Sequence, residues 1–115
     1  MHELSVALTL LDEVGTAAAR ERATGVSSVR LRIGRMSGIA PDALVFAWEI
    51  ARADTIAAQA ELHIEDVGVT VFCPRCEGER ASVEGGGLVC GTCGTTAASI
   101  VHGRELELVS MEVVS

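Results

Sequence analysis

Cys73-Pro-Arg-Cys76 and Cys90-Gly-Thr-Cys93 are two C-x-x-C pairs separated by thirteen residues. No other feature restricts the surrounding fold as tightly. Two thiolates at this spacing reach one tetrahedral ion at about 2.3 Å, and a second pair closes its shell. Four sulfurs leave no open coordination position, so the site reads as structural rather than catalytic. Gly78 and Gly94 follow the two knuckles, where the chain is expected to turn so that amides face sulfur. Arg75 and Arg80 lie in the same segment and are expected to offset part of the negative charge of a metal tetrathiolate. The competing readings of the four cysteines are a dithiol redox centre, two disulfides or a rubredoxin-like iron site. Spacing and a reducing compartment favour zinc.

The compartment follows from what the chain lacks. No apolar run approaches the roughly 20 residues needed to cross a bilayer, and the start has no basic flank or cleavage site. The expected location is cytoplasmic, with no membrane partner. The formal net charge is −7, and lysine is absent. Nucleic-acid affinity comes largely from clustered basic side chains, so a nucleic-acid partner is not expected. Hydrophobic residues make up 49% of the chain but aromatic ones only 3%, so the core must be built from Val, Leu, Ile and Ala. A chain this short buries only about two-thirds of its unfolded surface, and a structural metal would add to its stability.

Periodicity supplies the remaining elements. From Glu3 to about Thr24, Leu4, Leu8, Leu11, Val14 or Gly15, and Ala18 recur at helical spacing, and Gly25 ends the run. Val29, Leu31 and Ile33 alternate with Arg30 and Arg32 as in a half-buried strand. A second helix is expected from Pro41, with Leu44, Val45 and Trp48 inward. Trp48 and Phe46 both read as core. Ala60 to Asp66 returns to period two, and Gly85-Gly86-Gly87 reads as a hairpin tip between the cysteine pairs. The last strand, about Arg104 to Val113, changes inward phase, which predicts a bulge near Leu108 or cover on both faces. The fold class is α+β: a small three-stranded sheet with two helices plus an inserted zinc-ribbon module.

The first three residues form the second candidate site. A terminal amine and an imidazole both present lone pairs near neutral pH. With histidine at position two, the amine, the intervening deprotonated amide and the imidazole can close fused chelate rings around one ion. Such nitrogen-rich sets suit Ni(II) or Cu(II). The plain alternative is a solvated helix start, with Glu3 favoured by the helix dipole. Spacing does not separate the two. His63, His102 and the Asp12-Glu13 pair read as ordinary surface residues, although a hinge or outer-sphere role for His102 is conceivable. No nucleophile motif, phosphate loop or acid pair suggests catalysis, so the chain is not expected to be an enzyme.

Met1-His2-Glu3-Leu4-Ser5, the segment Ser37 to Glu49, the two cysteine pairs and the closing Gly103-Arg104-Glu105-Leu106 occur in that order. Together they resemble the HypA/HybF family of hydrogenase maturation proteins across essentially the whole chain. The resemblance implies a nickel metallochaperone that delivers Ni(2+) to a [NiFe] hydrogenase precursor. The nickel ligands map onto the Met1 amine, His2 and Glu3, and the Zn(2+) ligands onto Cys73, Cys76, Cys90 and Cys93. In some members a further acidic ligand precedes the second helix, which maps onto Asp42. Residues 1–69 and 100–115 would form a nickel-binding α/β domain, and residues 70–99 a zinc-binding domain. Implied partners are a HypB-like maturation GTPase and the hydrogenase large-subunit precursor. A zinc-ribbon protein-interaction adaptor without a mobile metal is the alternative from another class, and an iron electron carrier a third.

Overall fold

The computed structural model describes residues 2–83, 88–97 and 99–115. The glycine-rich tip at 85–87 and the Met1 amine therefore lie outside the described residues. Eight elements follow one another: α1 (Glu3–Arg20), β1 (Gly25–Gly34), α2 (Pro41–Ala51), β2 (Glu61–Val67), β3 (Thr70–Cys73), β4 (Gly78–Ala81), β5 (Ser99–His102) and β6 (Leu106–Val114). They make two three-stranded sheets, ordered β2-β1-β6 and β4-β3-β5. The chain divides into two compact units. The first holds Met1–Arg32, Gly38–Glu65 and Glu107–Ser115; the second holds Ile33–Ser37 and Asp66–Leu106. Among the described residues no helix is long and apolar enough to cross a membrane.

In the first unit α1 packs against α2. The buried residues of α1 are Val6, Ala7, Leu10, Val14 and Ala18: of the expected row Val14 and Ala18 turn inward, Leu11 is half-buried, and Leu4 and Leu8 face outward. The buried set and the expected row both have helical spacing, so periodicity alone could not choose between them. Ala7 and Ala18 are fully buried, and Leu4 and Leu8 are left 43% and 54% exposed. The helix also stops earlier than Gly25. Arg22 takes a left-handed φ of 54°, the Ala23 amide donates to the Ala18 carbonyl, and the Arg22 amide donates to the Ala19 carbonyl. That pair of bonds is a Schellman ending. A non-glycine residue occupies its left-handed position, which is why the sequence did not announce it.

α2 begins at Pro41 as expected, and Leu44, Ala47 and Trp48 turn inward. Trp48 is 1% exposed, and its indole N–H donates to the Ala60 carbonyl at 3.1 Å. Phe46 is not core: it is 67% exposed, on the side of the helix away from Leu44 and Trp48. In β1 the expected inward residues Val29, Leu31 and Ile33 are all buried. Outward, Arg32 Nε lies 2.7 Å from Glu65 of β2, and Nη1 lies 3.9 Å from Glu107 of β6. The Nε contact is ionic without the alignment of a hydrogen bond. In β6, Leu108 and Met111 are the half-buried residues, an odd spacing that fits the expected change of phase.

Gly15 stands inside α1, yet a Cβ placed there meets nothing within 4 Å. Nothing inside the fold demands glycine at this position. The Gly15→Ala chain is expected to be more stable by about 1 kcal/mol, because glycine is the weaker helix former. A thermal melt raised by several degrees checks this.

The second unit is held at one edge by the motif Gly103-Arg104-Glu105. Gly103 has φ 132°, and a Cβ added at Gly34 would run into the Gly103 carbonyl. The two chain segments meet there through the Met36 amide to the Gly103 carbonyl (2.6 Å) and the Gly34 amide to the Glu105 carbonyl (2.8 Å). The Glu105 carboxylate accepts from the Gly103 amide at 2.7 Å and lies 2.9 Å from His102 Nδ1. Its side chain is 9% exposed. The Gly103 amide first, then Glu105's own amide and His102, hold its pKa at about 2 instead of 4.5. A depressed carboxylate pKa stabilises the fold fully above 4.5, and that contribution is lost as pH falls towards 2. The Glu105→Gln chain should therefore melt below wild type at neutral pH. The two melting temperatures should converge as the pH is taken from 4.5 towards 2, which melts at several pH values will check.

Candidate metal centres

The four cysteine sulfurs converge within 4.8 Å of one another, the one metal-holding group of three or more side chains among the described residues. Strand pairing brings them together. β3 pairs antiparallel with β4 and β5, so that Cys73 faces Gly78 at the end of the ladder. An isolated bridge between Ser82 and Cys90 brings the second knuckle alongside. Cys73 and Cys90 are buried, and Cys76 and Cys93 are half-buried. Sγ–Sγ distances are 3.5 Å for Cys73–Cys93 and 4.0 Å for Cys76–Cys90. They bracket the roughly 3.8 Å edge of a tetrahedron with 2.3 Å metal–sulfur bonds. The donor set fits a closed, four-coordinate divalent ion.

Backbone amides already point at sulfur, as such a site requires. The Cys76 amide donates to Cys73 Sγ, and the Thr92 amide to Cys90 Sγ, each at 3.4 Å. Gly94 has the left-handed φ expected after the second knuckle, 76°. At the first knuckle the left-handed residue is Glu77 (φ 56°), one position before the expected Gly78. Arg80 donates to the Glu79 carbonyl and not to a sulfur, so the outer-sphere role expected of it falls to amides and to Thr95.

Thr95 Oγ1 lies 3.2 Å from Cys93 Sγ. Its hydroxyl and then its amide favour the thiolate, pulling Cys93 down to about 6. Hydrogen bonding to Cys93 first, and burial next, push Cys76 up to about 12. Cys90 is lowered, mainly by the Cys93 amide. The protons are thus shared unevenly over the metal-free cluster. A divalent cation replaces them and makes all four sulfurs thiolates.

The N-terminal candidates are placed differently. His2 is the N-cap of α1: its backbone is extended (φ −79°, ψ 141°), and Nδ1 accepts the Leu4 amide at 3.2 Å. His2 is exposed, and Glu3 sits half-buried in the first helical turn. The helix-start reading and the chelating reading thus meet on one nitrogen. The six-membered ring that an imidazole closes with its own backbone nitrogen uses Nδ1, the atom that caps the helix. Asp42 lies in the first turn of α2, and the described residues bring it into no metal-holding group with His2 and Glu3. His63 lies 3.4 Å from Glu61 at the surface, and His102 is engaged with Glu105. The capping bond of His2 was not read from the sequence, because histidine is not among the usual caps.

A family model described as hydrogenase/urease nickel incorporation, metallochaperone, hypA, matches residues 1–113. The chain belongs to the HypA family. The hydrogenase maturation factor HypA of Chloroflexus aggregans is 46% identical over 112 residues, spanning 97% of this chain and 98% of that protein. That of Streptomyces avermitilis is 39% identical, over 96% and 86%. The fold is similar to the solution structure of the Ni metallochaperone HypA from Helicobacter pylori. The TM-score there is 0.72 and the identity 28%, with 100% of this chain and 99% of that one covered. Membership of the HypA family gives the four-sulfur cluster and the open helix start a common context, metal handling in hydrogenase maturation.

Proposed function

We propose that the chain is a nickel carrier with two metal centres of opposite character. Ni(2+) is its cargo, held by the Met1 amine, His2 and Glu3 at the exposed start of α1. Zn(2+) is resident, closed in by Cys73, Cys76, Cys90 and Cys93. The observation that carries this reading is the family match running from the first residue to residue 113, so that both candidate sites fall inside it. The nickel is handed to a [NiFe] hydrogenase large-subunit precursor with the help of a HypB-like maturation GTPase, in the cytoplasm. The nickel ligands belong to the α/β part of the chain, and the zinc ligands to the cysteine part. The work is transfer of an ion and not catalysis.

The division of labour follows from exchange rates. A site at a chain end has few packed contacts to break, so its ligands exchange quickly, whereas a sulfur cage within a sheet holds its ion. Taking up nickel through Nδ1 displaces the Leu4 amide from its acceptor. The loaded state therefore lacks the cap bond of the empty one, and release of the ion restores it. This competition weakens retention slightly, which suits a donor.

Acetylating the terminal amine, the one primary amine of a lysine-free chain, removes its lone pair while leaving every side chain in place. The acetylated chain is expected to lose tight nickel uptake and to keep one zinc, by elemental analysis after desalting. Undiminished nickel in the acetylated chain would contradict an amine chelate.

A further inference from the structure

The face of α1 that the core does not use has its own order. Leu4, Leu8, Leu11 and Gly15 follow at intervals of four, three and four, which puts them in one row along the helix. Leu4 and Leu8 are exposed and Leu11 is half-buried, so the row is an apolar ridge facing water. At its far end Gly15 leaves open space, with nothing within 4 Å of an added Cβ. A glycine that weakens its helix and serves no internal packing gives the ridge a notch in which another chain can come close. The row also starts beside the proposed nickel ligands, because Leu4 directly follows Glu3.

Charge selects the occupant. Asp12 is exposed and borders this row, whereas Glu13 lies on the opposite side of the helix, and the one basic residue of α1 is Arg20 in its last turn. The chain as a whole carries a formal charge of −7, so a second copy laid on this face would bring like charges together, and an anionic membrane or nucleic acid would be repelled. We infer that the Leu4–Leu8–Leu11–Gly15 face of α1 docks a protein partner through an amphipathic helix whose apolar stripe is flanked by Arg or Lys. Leucines of that helix pack beside Leu4 and Leu8, one bulky side chain fills the space over Gly15, and the basic flank meets Asp12. This rests on the carrier reading: a receiver seated there has its acceptor ligands next to His2.

The test uses the full-length, zinc-loaded chain. The probes are the purified maturation GTPase and the purified hydrogenase large-subunit precursor of the same organism, each titrated by calorimetry. Leu8→Glu is expected to weaken binding about 10- to 100-fold, as loss of a central apolar anchor does. Asp12→Lys and Gly15→Leu should weaken it several-fold, and rising salt should weaken the wild-type complex more than the Asp12→Lys complex. Leu8 is exposed, so its variant should keep the helical content of wild type. Nickel uptake is measured in the same samples and should be unchanged in all three variants. Equal affinity of Leu8→Glu and wild type overturns the inference, and so does failure of wild type to bind either probe. A Leu8→Glu chain that alters only its own oligomeric state overturns it too, by making the face a contact between copies. Absent nickel uptake with Leu8-dependent binding intact would instead remove the carrier reading and leave the docking face standing.

Discussion

The His2→Ala chain is expected to take up no tightly bound nickel while keeping its full complement of zinc. Two effects act together in that variant, and they can be separated. The imidazole is lost as a ligand, and the Leu4 amide is left without its Nδ1 acceptor. A replacement that caps without chelating isolates the first. His2→Asn places a side-chain oxygen where helix starts favour one, so its thermal melt should match or exceed that of wild type. It should be as deficient in nickel as His2→Ala. Nickel titrations of the two variants beside wild type, with zinc counted in each sample, decide the matter. Tight nickel uptake by His2→Asn would show that the imidazole is not a ligand.

The second large effect lies at the cysteines. Replacing Cys73 or Cys90, the two buried sulfurs, with serine should remove zinc and unfold the unit made of Ile33–Ser37 and Asp66–Leu106. The reason is scale. Among the described residues, the buried apolar side chains of this unit are Ile33, Val71, Cys73, Cys90 and Ala97. Structural zinc contributes an apparent 10 to 16 kcal/mol or so in small metal-dependent folds, more than a unit of this size can supply by burial. Amide exchange should then become fast over β3, β4 and β5 and stay slow over the buried face of α1. Treating wild type with a strong zinc chelator should give the same pattern. Slow exchange in β3 after complete zinc removal would contradict a metal-dependent unit.

How much of this was legible in the sequence depended on whether a residue's role is set locally. Cysteine spacing fixes which side chains can share an ion, and the four sulfurs do converge. Proline at a first helical position and alternation in β1 are equally local, and both elements appear where expected. The face of α1 is not a local matter. Its apolar residues satisfy two rows, and only packing against the rest of the unit, α2 included, chooses one. The same holds for Phe46, whose helix already had enough inward residues in Leu44, Ala47 and Trp48. Glu105 shows a third kind of limit. It stands in the Gly103-Arg104-Glu105-Leu106 segment that carries the family resemblance, but its role shows only where Gly34 and Gly103 bring their backbones together beside it. In the N-terminal site, the role of His2 as a cap depends on its ring turning Nδ1 onto the Leu4 amide, which no sequence pattern fixes.

The account stands on nickel being carried at the chain's first residues as an ion distinct from the sulfur-held one. The direct measurement is a metal count on untagged, unextended protein exposed to nickel and desalted, paired with absorption spectroscopy. The account predicts one zinc and one nickel per chain, the nickel showing a nitrogen-rich ligand field without sulfur charge-transfer bands. One zinc and no nickel would contradict it, and so would nickel found only by displacing zinc from the four cysteines.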